Sequence, residues 1–396
     1  MRYSLRSDCA LIGEDPVSLM NRMEMAEAFD QHLHSVTVHF ERAEEYAAGQ
    51  GPLKTYIIEA HDLNGDAPNH GGIKGVLGDL QERFGFRVEP TDDPTLAILT
   101  KEDVRYFVDF LNPRFWVVHT TANIKPSEQY LDELVRGSWN LDYAWLPTQV
   151  LEYLRKGRRF LGFNVDFDQG LFLSEGASDE LQEQAAVFKS RYWGTRGEKL
   201  YGLLSGTPLS GVLCLSAVKY SISDSASAAY IQNELNAQGR IKATGSSISL
   251  HLGAVNHLVN LYAQMIQALE EELGLAFVHG DGGDELQGYP LTLRFSQPVP
   301  DFKGLVTEVL SCRDPVRFWG VASHEERDFV RAEVVDLHSA SRLRLDFAPT
   351  HVIVYLFRGS CGNSVARLLR IIQEHLDPTA YFELQHPTVF DQCKEA

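Results

Sequence analysis

Apolar residues along the chain switch between strand-like runs and helical spacing, and the switches lay out a succession of strands and helices. The stretch from His351 to Leu376 is the best formed. HVIVYLF is a short apolar run rich in β-branched and aromatic residues, as a buried strand requires, and RGSCGN follows with two glycines. Ser364 then stands as an N-cap ahead of Val365, Leu368, Leu369, Ile372 and Leu376, which recur at helical spacing.

Upstream, residues 16–30 predict a helix, SVTVHFE (35–41) and KTYIIEA (54–60) predict strands, and GIKGVLGDLQERFG (72–85) a helix. FWVVHTT (115–121) predicts a strand, residues 127–137 and 147–157 two helices, and 157–167 a strand. DELQEQAAVFKSRYW (179–193) and residues 225–238 read as helices, with a strand favoured within 209–222. ISLHL (248–252) reads as a short strand before a long helix over 253–274, and 275–295 as two strands around a glycine turn. After a helix at 302–310, AEVVDLH, RLRLDF and VIVYLF predict an antiparallel meander that precedes the terminal helix and a last strand, YFEL. The expected fold class is α+β, with mixed or antiparallel sheets and helices packed on one face. Two or three units are expected at this length: 1–175, a helix-rich 176–299, and 300–396.

Composition narrows the function classes. A hydrophobic fraction of 44% and a charged fraction of 23% in 396 residues supply ordinary globular cores. The net charge of −18 disfavours nonspecific attraction to nucleic acid or anionic lipid. Five cysteines, at 9, 214, 312, 361 and 393, show neither zinc nor disulfide spacing, so free thiols in a reducing compartment are expected. No apolar run reaches membrane-spanning length and the first residues make a poor signal peptide, which sets a cytoplasmic expectation.

Four features carry candidate chemistry. The first is the Gly359–Ser364 turn. Backbone N–H groups gathered there, with the positive end of the following helix, suit a small anionic ligand, and Gly359, Ser360, Gly362, Asn363 and Ser364 are the expected contacts. Cys361 and Arg367 enclose five residues, GNSVA, between a strand and a helix. Over these few residues the stretch resembles the phosphate loop of the low-molecular-weight phosphatase and arsenate reductase family, in which a thiolate attacks phosphorus. That resemblance implies a nucleophilic role for Cys361 and a phosphate-binding one for Arg367. Asn363 and Leu368 depart from the family's pattern, and a buried cysteine in a tight turn with a surface arginine is the plain alternative.

The second feature is GDGGDELQGY (280–289), which looks like the acidic loop of asparagine synthetase and its relatives. The likeness implies ATP or magnesium handling by Asp281, Asp284 and Glu285. LLSGTPLS (203–210) is faintly similar to that family's pyrophosphate loop, with Thr207 for a glycine and Leu209 for the aspartate. An acidic hairpin is the plain reading of 280–289. Third, HLHS resembles the opening metal motif of amidohydrolase-type barrels, which implies that His32 and His34 share one face of a strand. Half-buried or surface histidines are the alternative for these and for His39, His251, His257 and His279, and no metal-ligand set is assigned. The fourth is RKGRR (155–159), the most basic spot, readable as a phosphate contact or a solvated helix end. With each catalytic motif short of a member, the leading expectation is a soluble binding or regulatory protein for a small anionic ligand, a nucleotide included, or a protein partner. Synthetase-like and phosphatase chemistry are the enzyme alternatives, and no cofactor is named.

Overall fold

The computed structural model describes residues 20–41, 51–61, 72–138, 140–173, 185–280 and 283–383, together with 179 and 183. Asp281, Trp139, Cys9 and Cys393 lie outside the described residues. In chain order the first elements are α1 (Arg22–Glu41), β1 (Leu53–Ala60), α2 (Gly72–Phe84), β2 (Arg87–Pro90), β3 (Leu96–Lys101), β4 (Val104–Asp109) and β5 (Phe115–Thr120). Next come α3 (Ile124–Gly137), β6 (Leu141–Tyr143), α4 (Thr148–Arg155), β7 (Arg159–Asp168), β8 (Val187–Trp193), α5 (Gly197–Ser205), β9 (Leu215–Ser223), β10 (Tyr230–Asn236) and β11 (Arg240–Gly245). The remainder is α6 (Ile248–Gln267), β12 (Ala276–Gly280), β13 (Gly283–Gln287), β14 (Leu291–Arg294), α7 (Phe302–Val309), β15 (Phe318–Glu326), β16 (Phe329–Asp336), β17 (Arg342–Ala348), β18 (His351–Leu356), α8 (Asn363–His375) and β19 (Tyr381–Glu383). The chain is α+β, as its patterning predicts. It divides into two compact units, Met1–Tyr143 with Ser221–Leu235 and Gly239–Val259, and Ala144–Tyr220 with Asn236–Gln238 and Asn260–Ala396. They are interleaved in sequence.

In the first unit the strands run in the order β2-β3-β4-β5-β1-β11-β10, with β6 also on β1, and the registered pairs are antiparallel. Successive side chains of a strand point to opposite faces. Tyr56, Ile58, Leu99, Tyr106, Trp116 and Val118 pack with Leu80 of α2 and with Leu131, Leu134 and Val135 of α3. Leu53, Leu96, Ile98, Phe107, Ile231 and Ala243 form a second cluster with Met25, Phe29 and Leu33 of α1. Every residue of β1 is buried, Lys54, Thr55 and Glu59 included, and Glu59 is matched there by Arg114 at 2.7 Å.

The second unit holds a six-stranded antiparallel sheet ordered β15-β16-β17-β18-β14-β19 and the separate hairpin β12–β13. The meander expected from the sequence is present as β16-β17-β18. Residues 363–373 of α8 are all buried, so its polar side chains find partners inside the unit. Arg370 donates to the Leu215 carbonyl at 2.7 Å. Gln373 accepts from the Thr148 N–H at 2.8 Å and donates to the Gln149 side chain and the Ala380 carbonyl.

Four expectations fail, each where packing overrides a local preference. SVTVHFE is the end of α1, carried by the buried stripe Met25, Phe29, Leu33 and Val36 at helical spacing. Residues 225–238 favour a helix by composition, yet Ile231, Asn233 and Leu235 alternate inward and form β10 against β11. Residues 187–193 pair with β7 instead of extending a helix. ISLHL opens α6, whose Ile248 N–H is taken at 2.9 Å by Asp30 of α1, a cap far away in sequence.

One backbone contact positions the hairpin. Gly288 has φ +86°, and a Cβ built there would stand 2.4 Å from the Gly274 carbonyl oxygen. Only glycine permits both the left-handed conformation and this approach. Gly288→Ala is expected to cost about 1–3 kcal/mol, read as a lower urea midpoint. An unchanged midpoint would show that the Gly274–Gly288 contact is soft.

Candidate functional site

A buried polar cluster of the second unit surrounds the start of α8. Asp336 ends β16 and is fully buried. Its carboxylate accepts hydrogen bonds from the Ser364 hydroxyl, an Arg367 Nη and the His338 backbone N–H. Arg367, equally sealed, also donates Nε–H to the Val316 carbonyl at 3.1 Å and lies over the Phe318 ring. Burial opposes charge on Asp336, but Arg367, His338 and the Ser364 hydrogen bond together hold its carboxyl below the ordinary range.

The Gly359–Ser364 turn looks inward. The Ser360 N–H donates to the Phe357 carbonyl at 2.9 Å and the Cys361 N–H to the Ser341 hydroxyl at 3.1 Å. The Gly362 N–H donates to Glu270 Oε1 at 2.6 Å. Gly362, rather than Ser364, precedes the first helical residue, and Asn363 accepts from the Tyr262 hydroxyl. The geometry that suits an anion is therefore present, and a carboxylate of the chain itself sits on it. Of the contacts expected for an anionic guest, Gly359 is exposed, while Ser360, Gly362, Asn363 and Ser364 are buried.

Cys361 and Arg367 do not form a phosphate loop. The thiol is buried and the guanidinium is committed to Asp336, so the surface arginine of the plain reading is corrected as well. Asp336 reaches the cluster, whereas Asp346 is held by both Arg331 nitrogens at 2.8 and 2.7 Å. The synthetase-like features have equally plain geometry. Residues 203–210 are the end of α5 and a 3-10 turn capped by Thr207, not a glycine loop between strand and helix. Gly280 and Gly283–Gln287 of this stretch lie in a two-stranded hairpin in which Asp284 is paired with His279 in the backbone register and Glu285 is exposed. Arg155 pairs with Glu198 at 2.7 Å and stacks on Tyr201, and Arg158 covers Tyr220, so these two members of the basic spot serve packing.

His32 and His34 sit on helix α1, where residues two apart diverge. His32 is buried with Nε2 2.7 Å from the Gly51 carbonyl, and His34 is exposed beside Asp30. The sequence also leaves unseen a buried chain of polar groups in the first unit. The Thr55 hydroxyl lies 2.8 Å from both His119 Nδ1 and His251 Nε2, and His251 Nδ1 lies 2.9 Å from Asn233 Oδ1. One hydroxyl serves two neutral rings by donating to one and accepting from the other. Burial lowers both imidazoles to about 3, with Arg22 adding to the effect at His119 and His119 at His251. Nearby Lys54 is buried and lowered to about 8, first by desolvation, with Lys242 adding and Glu128 opposing. Only the period-2 placement of Thr55, His119 and Asn233 on strands hinted at a shared interior face.

Two predictions follow from these groups. A histidine whose folded pKa lies below its unfolded value of about 6.5 releases its proton on folding. The stabilisation is fully present above that value and is lost as pH falls toward 3, so resistance to urea should fall steadily below pH 6.5. His119→Gln should flatten that slope; an unaltered slope would show that carboxylates alone set it. For the ion pair, Arg367→Met leaves a buried charge unmatched and should cost about 3–5 kcal/mol, while adding Asp336→Leu should recover most of it. Equal losses in the single and double variants would contradict this account.

No solved structure matches the chain. Across 413 aligned residues it is 26% identical to the uncharacterized protein MJECL33 of Methanocaldococcus jannaschii, covering 96% of this chain and 97% of that protein. Residues 15–389 match the MJECL33-like protein family, and the chain belongs to it.

Proposed function

We propose that the chain is a binding protein that engages a protein partner through the β12–β13 hairpin of its second unit. The observation that carries this reading is the cross-strand pair Phe277–Leu286. Its members are 76% and 57% exposed on a ribbon of only two strands, with Tyr289 beside them at 42%. Two large apolar side chains directly opposed and open to water are costly unless something covers them, and aromatic anchors of this kind dominate protein interfaces. A lone hairpin is marginal in water. This one is held at its base, where Leu275 exchanges backbone hydrogen bonds of 2.7 and 2.9 Å with Leu356 and Arg358, and the Tyr289 N–H donates to the Leu273 carbonyl at 3.1 Å. The ribbon is thus presented from a fixed point next to the α8 turn.

The partner suited to it has an apolar groove with a basic rim, because Glu285 is exposed beside Leu286 and the chain carries −18 overall. A protein ligand also fits the α8 turn better than a small anion does, since three of its amides are already engaged. The test uses full-length protein as bait in extract of its native host. Phe277→Ser with Leu286→Ser should leave the unfolding midpoint nearly unchanged and weaken capture of the enriched partner about tenfold or more. Equal capture by the double variant, or no enrichment by the unaltered chain, would refute the proposal.

A further inference from the structure

Where the last turn of α8 meets the 3-10 turn Gln169–Phe172 and the approach to α7, the second unit holds a cavity of about 110 Å³. Phe172, Val299 and Leu376 supply apolar wall, and Gln169, Asp301 and His375 supply polar wall. The size is of the order that takes up a single ring, since an apolar void of about 150 Å³ accommodates benzene.

The polar groups of the wall have fixed roles. His375 Nδ1 lies 2.8 Å from the Asp168 carbonyl, and a carbonyl only accepts, so Nδ1 carries the hydrogen. In the neutral ring Nε2 is then an acceptor. The imidazole stands edge to face with Phe172, centroids 6.3 Å apart, which holds its plane. Gln169 Oε1 accepts the Ala186 N–H at 3.0 Å, and this orients the side-chain amide and leaves its NH₂ as a donor. Asp301 accepts the Gly304 N–H at 2.8 Å as the cap of α7, and its carboxylate brings negative charge to the wall.

We propose that this cavity binds a small uncharged aromatic compound bearing one hydroxyl group, the phenol class. A hydroxyl both donates and accepts, so a single group of the ligand answers an acceptor such as His375 Nε2 and a donor such as the Gln169 amide. The ring is drawn from water by the apolar wall of Phe172, Val299 and Leu376. A carboxylate of the same size is disfavoured twice: it offers His375 Nε2 no hydrogen, and it meets the like charge of Asp301. None of these residues lies in the β12–β13 hairpin, so this site and the partner reading stand or fall separately.

The experiment titrates the full chain with phenol, toluene and benzoate by calorimetry. Phenol should bind saturably at one site per chain, with toluene and benzoate each about tenfold weaker or more. His375→Leu should remove the preference for phenol over toluene. Ala185→Leu, which enlarges a side chain of the wall, should abolish binding of both. Should His375→Leu fail to fold, the order of the three compounds on the unaltered chain together with Ala185→Leu decides the matter. No saturable phenol binding by the unaltered chain, benzoate bound as tightly as phenol, or undiminished binding by folded Ala185→Leu would overturn the assignment.

Discussion

The buried contact between Arg367 and Asp336 is the constraint on which the second unit depends. Both side chains are without solvent exposure, and removing two charges from water is expensive unless every remaining donor and acceptor is met. The structure meets that demand with groups from distant parts of the chain: Ser364 one helical turn before Arg367, the Val316 carbonyl ahead of β15, and the His338 N–H after β16. Each of these must be in place for the pair to be tolerated. The pair thereby fixes the end of β16, the approach to β15 and the rotation of α8 relative to one another.

The first unit solves a related difficulty without charge. Thr55, His119, Asn233 and His251, from β1, β5, β10 and α6, are buried, and the rings stay neutral. A hydroxyl shared between two imidazoles requires each ring to adopt one tautomer and one orientation. An apolar interior would allow β1, β5 and α6 to slide past one another at little cost. The polar chain does not, and it specifies their register.

Much of this architecture was legible in the residues. Strands β1, β5, β7 and the β16-β17-β18 meander announce themselves because both their apolar content and their bounding turns are local. Helix α8 was equally clear from Val365, Leu368, Leu369 and Ile372. What stayed hidden depends on partners remote in sequence. The end of α1 and the strand β10 carry composition typical of the other state, and only their placement against the sheet decides them. At the site, Cys361, Arg367 and the turn glycines were visible as a motif, but their environment was not. Asp336, His338 and Glu270 come from 25, 23 and 91 residues before Cys361, separations over which no periodicity operates. The motif suggested an open cradle for phosphate; long-range contacts turned the same residues into the interior of the unit.

The carboxylate of Glu270 on the Gly362 amide has one more consequence. A free anion competing for that amide must displace a group tethered to the same fold and already oriented toward it, so the effective local concentration of the incumbent far exceeds that of any solute. The chain in this way immunises its own helix terminus against the phosphates and carboxylates that crowd a cell. Only a change that draws Glu270 aside would make the terminus reachable, so the residue behaves as a built-in plug whose withdrawal, rather than the arrival of a competitor, would be the controlling event.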